Sequence, residues 1–203
     1  MNIGIDIDNV ISNFDEMLLQ EFLIHDKELR NNGIVNKNAD YITRGMFDWT
    51  ENEVSKFYHN NIERIAKSLS IIDGSREYIR KLKEDGHFIY IITGRDNGEY
   101  SDPHSMTREW LNKFDIYYDK LILTNDYKND KHGKTEKCFE NDIDIMIDDS
   151  VHICMDCIEN GITTLLMDTP YNKQVEIQRV HSWKEIYDFV SNYKKKNKFY
   201  IRH

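Results

Sequence analysis

The chain has 203 residues, 39% hydrophobic and 12% aromatic, enough for one core domain with a small insertion and too few for two full-sized domains. Its 36 Asp and Glu outnumber its 27 Lys and Arg, and the formal net charge of −9 repels a long polyanion, so a nucleic-acid polymer is disfavoured as partner. The mean hydropathy of −0.69, the lack of an apolar run near the roughly 20 residues of a spanning helix, and an amino terminus without a basic start predict a soluble cytoplasmic protein with no membrane contact. Three cysteines are too few, and odd in number, for a disulfide framework.

In chain order, a short β-branched run from Ile3 to Ile7 predicts a buried strand. The stretch that follows, from about Asn13 to Asp73, is far longer than one crossover helix requires. It carries two helical stripes, Phe14, Leu18, Leu19 and Phe22, then Val54, Phe57, Tyr58, Ile62, Ile65 and Leu69, and reads as a small helical cap. An amphipathic helix over Arg76 to Leu82 leads to a strand from Phe88 to Ile92, and another over Met106 to Phe114 leads to Leu121 to Leu123. Further strands are predicted from Ile143 to Ile147 and from Thr163 to Met167. Alternating helices and near-continuous apolar strands define an α/β fold, a Rossmann-like parallel sheet covered on both faces. The division is 1–13 and 74–203 as core and 14–73 as cap, and no linker or repeat interrupts it.

Chemistry concentrates at the carboxyl ends of the strands, where open α/β sheets bind ligands. The first strand ends in Asp6-Ile7-Asp8-Asn9-Val10, and period-2 geometry sets Asp6 and Asp8 on one side of the chain. Two such carboxylates repel unless they share a cation or a proton. The second strand ends in Thr93-Gly94-Arg95-Asp96, a hydroxyl beside glycine-freed amides that suits a phosphate as well as a plain turn. The fourth ends in Asp148-Asp149-Ser150, whose all-oxygen character suits Mg²⁺ rather than zinc. One lysine among Lys131, Lys134 and Lys137, ahead of that strand, reaches the sheet edge. Cys154-Met155-Asp156-Cys157 stands alone without a second such pair and reads as two half-buried thiols, and the basic run Lys194, Lys195, Lys196 and Lys198 reads as a solvated tail.

Taken together, Asp6, Asp8 and Val10, then Thr93, then Lys134, then Asp148 and Asp149 resemble the motifs of the haloacid dehalogenase (HAD) superfamily of phosphatases. The resemblance spans the core strands, and the insertion after the first strand looks like that superfamily's helical cap. Within it the chain is similar to the 5′(3′)-deoxyribonucleotidase group, where Phe14 matches an aromatic set against base or sugar. Asn9 departs from the glycine common at its position.

The resemblance implies a Mg²⁺-dependent phosphatase acting on a small phosphorylated substrate, a nucleoside monophosphate, through an aspartyl-phosphate. Asp6 is then the nucleophile and Asp8 the general acid and base. Thr93, Gly94 and Lys134 bind the phosphate, and Phe14, Phe47 and Trp49 stack on the base. The metal falls to Asp6, the Asp8 backbone carbonyl and the paired acids, Asp149 directly with Asp148 behind it, or the reverse. A sugar phosphate is the alternative substrate, and a non-catalytic receiver-like module the alternative class; the order of Thr93 before Lys134 argues against a receiver. The sequence carries no signal for an oligomeric state.

Overall fold

In the computed structural model the described residues are 1–95, 98–124 and 133–200, with 194–200 described by backbone alone. Asp96, Lys131 and the side chains of Lys194, Lys195, Lys196 and Lys198 lie outside the described residues.

The elements run β1 (Asn2–Ile5), α1 (Phe14–Leu29), α2 (Glu51–Ser68), α3 (Ser75–Glu84), β2 (Phe88–Thr93), α4 (Pro103–Lys113), β3 (Lys120–Leu123), α5 (Gly133–Glu140), β4 (Ile145–Asp148), α6 (Val151–Glu159), β5 (Thr163–Met167), β6 (Arg179–Val180) and α7 (Trp183–Tyr200). All six strands are parallel, in the order β3-β2-β1-β4-β5-β6. The sheet is thus the α/β, Rossmann-like arrangement that the apolar runs predict. β1 lies inside it, and successive crossovers diverge to either side of β1, which places a ligand crevice beyond its carboxyl end.

The four inner strands, β2, β1, β4 and β5, are buried on both faces because the pleat sends alternate side chains to two separate cores. Ile3, Ile5, Ile89, Ile91, Ile145 and Ile147 belong to the larger core, with Ile79 and Leu82 of α3, Trp110 and Leu111 of α4 and Trp183 and Ile186 of α7. Ile92 and Met146 point the other way, into a smaller core with Cys138 of α5 and Ile153 and Cys157 of α6. Gly4 faces this second core, where an added Cβ would stand 2.8 Å from the Met146 sulfur and 3.2 Å from Ile92. The residue is glycine because the layer there has no room for a methyl group.

Several strand ends, and one whole strand, differ from the sequence expectation. β1 ends at Ile5 rather than Ile7, although the Asp6 N–H still reaches the Ile147 carbonyl at 3.0 Å. β4 begins at Ile145 rather than Ile143. β6 went unpredicted because two residues are too few to show a period, and it exists only through its pairing with β5.

Between β1 and α3 the chain forms α1, an irregular stretch, and α2, whose start is set by a capping box in which Thr50 and Glu53 satisfy each other's backbone N–H groups. Phe22, Phe47, Phe57, Ile65 and Leu69 of this segment are continuous with the larger core. No helix among the described residues is long and apolar enough to cross a membrane.

Candidate active site

Directly after β1 the chain turns back on itself. The Ile7 carbonyl accepts the N–H groups of Ile11 and Ser12, both at 2.8 Å, and Asn9 adopts φ 60°. A left-handed residue here favours glycine, and asparagine is among the few others that tolerate it. Asn9 also adds what glycine cannot supply: its Nδ2 donates to Asp149 Oδ2 at 2.9 Å, and its Oδ1 accepts the Asp15 N–H at 2.8 Å. The departure from the usual glycine therefore ties the β1 turn to the acids beyond β4 and to the start of α1.

The carboxyl ends of β1, β2 and β4 and the start of α5 converge on a cleft of about 410 Å³, a volume typical of small-molecule sites. Asp6, Asp8, Thr93, Gly94, Lys134, Asp148, Asp149 and Phe14 all line it. Lys134, 5% exposed on the first turn of α5, reaches Asp6 Oδ1 at 3.0 Å and Asp148 Oδ2 at 2.8 Å. Lys137 points elsewhere and pairs with Glu140 at 2.7 Å.

The acids outnumber their partners. Lys134 serves Asp6 and Asp148, and Arg95 serves Asp8, but Asp149 has no basic partner among the described residues and accepts only from the Asn9 amide on Oδ2. Burial, partly offset by Lys134 and reinforced by Asp148 and Asp8, pushes the Asp6 carboxyl up to about 7. Burial first, then Asp148 and Asp6, raises Asp149 well above the usual carboxylate range. Asp6, Asp148 and Asp149 each offer an oxygen within 4.8 Å of the others. A divalent cation among these oxygens would offset both the burial and the repulsion that hold these carboxyls up, so the donor set fits a hard metal ion.

Within the triad the oxygens are not equally available. Asp148 is fully buried, with Oδ2 on Lys134 and Oδ1 accepting the Ser150 N–H at 2.8 Å. Asp149 is half-buried and keeps Oδ1 clear of such bonds among the described residues. Asn172 steadies it from behind, donating Nδ2 to the Asp149 carbonyl at 2.9 Å.

Phe47 and Trp49 do not line the cleft, and the expectation that they meet a base is corrected. They form an aromatic cluster with Phe22 and Phe57: the Phe22 and Trp49 rings stack at 4.5 Å, and the Trp49 Nε1 donates to the buried Asp26 at 2.8 Å. Cap packing and ligand stacking call for the same apolar residues, and core packing claims these two. Trp49→Ala is accordingly expected to destabilise the fold by about 3 kcal/mol, read as a lowered urea midpoint, while substrate preference among phosphate esters stays as it was. The Phe and Tyr residues that line the cleft are instead Phe14, Tyr41, Tyr58, Tyr100 and Tyr171, with Arg44 at 5.5 Å over the Tyr41 ring. Tyr41 and Tyr58 were invisible as site residues because nothing in their local pattern separates a cleft wall from a helix face.

Asp15 was also missed. It lines the cleft from the first turn of α1, and burial, partly offset by Asn9, holds it up at about 6. Cys154 and Cys157 are fully buried on α6 rather than half-buried, and no group with zinc-ligand composition occurs among the described residues.

Among solved structures, a haloacid dehalogenase-like hydrolase from Streptococcus pneumoniae superposes with a TM-score of 0.67 at 13% identity, covering 93% of this chain and 97% of that one. The fold is therefore the HAD core, and the acids around Lys134 lie at the carboxyl ends of its strands. The class, hydrolases acting on phosphoric monoesters, follows from the family model that matches the chain. A family model described as "5' nucleotidase, deoxy (Pyrimidine), cytosolic type C protein" matches residues 1–196, and the chain belongs to that family. Its relatives include a Bacillus subtilis protein named "Putative nucleotidase YqfW", 27% identical over 96% of this chain and 95% of that protein. Another, from Chlorobaculum tepidum, is named "Putative 5'(3')-deoxyribonucleotidase" and is 25% identical over 93% of this chain and 89% of that protein.

Proposed function

We propose that this protein is a Mg²⁺-dependent cytoplasmic nucleotidase that releases phosphate from nucleoside monophosphates, with deoxyribonucleotides preferred. The observation that carries this reading is the cleft itself, with carboxylates and Lys134 on its floor and Phe14, Tyr41 and Tyr58 on the cap side. That combination suits a ligand with a phosphate at one end and a flat apolar ring at the other. The family description and the names of the two relatives point to the same substrate class.

In this mechanism an Asp6 carboxylate oxygen attacks phosphorus, and the bond to the nucleoside oxygen breaks as Asp8 gives that oxygen a proton. Water then attacks the aspartyl-phosphate, returns a proton to Asp8 and frees Asp6. Lys134 with Thr93 and Gly94 holds the phosphate, and the Lys134 ammonium offsets the charge gathering on it. Asp6 and Asp149, with the Asp8 carbonyl, would hold Mg²⁺, while Asp148 keeps Lys134 in place. The bound ion supplies positive charge against the phosphate oxygens and the acids. The 14–73 segment acts as a cap that closes over the substrate and excludes water.

The test is phosphate release from deoxyribo- and ribonucleoside monophosphates and from sugar phosphates, with and without EDTA. Release with Mg²⁺ from nucleotides, strongest for deoxyribonucleotides and lost on chelation, is expected. Faster release from sugar phosphates would replace the substrate assignment and leave the chemistry standing. Full activity in EDTA would refute the metal requirement.

A further inference from the structure

Arg95 follows Thr93 and Gly94 just beyond β2 and is 2% exposed. Its guanidinium reaches back to the turn after β1, where Nε donates to Asp8 Oδ2 at 3.1 Å and Nη2 donates to Asp8 Oδ1 at 2.6 Å. Ser12 Oγ donates to the same Oδ1 at 3.1 Å. Beneath the guanidinium lies the Trp110 ring, 5.8 Å from Cζ. The remaining nitrogen, Nη1, is buried without a hydrogen-bond partner among the described residues.

These contacts say what the arginine is for. A buried guanidinium is expensive unless its charge is paired, and an unmade bond at Nη1 adds to that expense. Both side-chain bonds seen here go to one carboxyl. A two-pronged fork fixes the plane of that carboxyl as well as its position, which a lysine ammonium cannot do.

We propose that Arg95 is a positioning residue for the leaving-group proton: its side-on fork fixes the plane of the Asp8 carboxyl beside Asp6 and meets the charge that appears there when the proton leaves. This rests on the reading above that Asp8 is the general acid. As the Asp6–phosphorus bond forms and the bond to the leaving oxygen breaks, the Asp8 proton passes to that oxygen. Asp8 becomes a carboxylate, and the Arg95 guanidinium is already in place against it. In the second half-reaction the proton of the attacking water returns to Asp8 and the aspartyl-phosphate bond breaks.

The test compares kcat/KM for two esters, a deoxynucleoside 5′-monophosphate, whose alkoxide must be protonated, and p-nitrophenyl phosphate, whose phenolate leaves without a proton. Arg95→Gln is expected to lose about 10- to 100-fold on the nucleotide and far less on the nitrophenyl ester, with Asp8→Asn showing the same split. Arg95→Lys, which keeps the charge without the fork, should not restore the nucleotide rate. Because both esters are read on one preparation, partial unfolding lowers both equally and leaves their ratio unchanged. Equal losses on the two esters in Arg95→Gln, alongside a split in Asp8→Asn, would overturn the role of Arg95 and spare that of Asp8. Full rescue by lysine would overturn the fork. No split in Asp8→Asn would overturn the general-acid reading on which the proposal rests.

Discussion

Asp6→Asn is expected to abolish phosphate release while making the metal-free protein more stable. The loss should reach about 10⁴-fold or more, because in the proposed mechanism an amide cannot form the covalent intermediate. The gain in stability has a different cause. In the fold the Asp6 carboxyl titrates near 7, raised from 3.8 chiefly by burial. Between those two pH values the folded state binds the extra proton, so stability falls as pH rises through the window. The uncharged amide removes that penalty. At pH 8 in EDTA, urea unfolding should show the variant more stable by on the order of 2 kcal/mol, with the difference closing toward pH 4. A variant no more stable than the parent at pH 8 would show that Lys134 already compensates Asp6 in full.

Lys134→Met is expected to be as damaging to the fold as Asp6→Asn is to the chemistry. Lys134 is buried between Asp6 and Asp148, at 3.0 Å and 2.8 Å, and Asp148 is fully buried. Removing the ammonium leaves two neighbouring buried carboxylates without a cation, and breaking a buried ionic group in this way costs about 3–5 kcal/mol. The defect is electrostatic, so it should shrink as pH falls and the acids take up protons. Urea midpoints at pH 8 and pH 5 in EDTA make the comparison, and a loss of equal size at both would assign the effect to packing of the lysine stem instead. Divalent metal should recover part of the loss at pH 8, since the triad then gains another source of positive charge. Activity should fall as well, because the phosphate loses its fixed cation.

Both predictions concern residues whose position at the sheet edge can be read from the sequence, for a physical reason. A buried parallel strand shows itself as an apolar run because both its faces are covered, and a polar residue at the run's end must sit at the sheet edge. Asp6, Thr93 and Asp148 are such residues, and the register β1–β4 and β1–β2 brings their edges together. Lys134 was legible more weakly, as one of three lysines; the tertiary structure separates it from Lys137, which faces Glu140 instead.

The aromatic side of the cleft was not legible. Phe47, Trp49 and Tyr41 lie in the irregular stretch and Tyr58 in a helical stripe, and neither pattern separates core from cleft; only the packing of α1 against the irregular stretch and α2 turns Phe47 and Trp49 inward and leaves Tyr41 and Tyr58 lining the cleft. The same holds for Asn9, whose importance lies in a bond to Asp149, 140 positions away.

What the sequence determined by itself was five of the six strands, their parallel class and the identity of the acids at their ends, because these follow from periodicity and run length within a few residues. What only the tertiary structure decided was which side chains pair. The Asp8 carboxyl meets Arg95 across 87 positions, and Asp148 rather than Asp149 takes the lysine. Hydrogen bonds and ion pairs act over about 3 Å, so their partners are chosen by the distances that folding creates and not by distance along the chain.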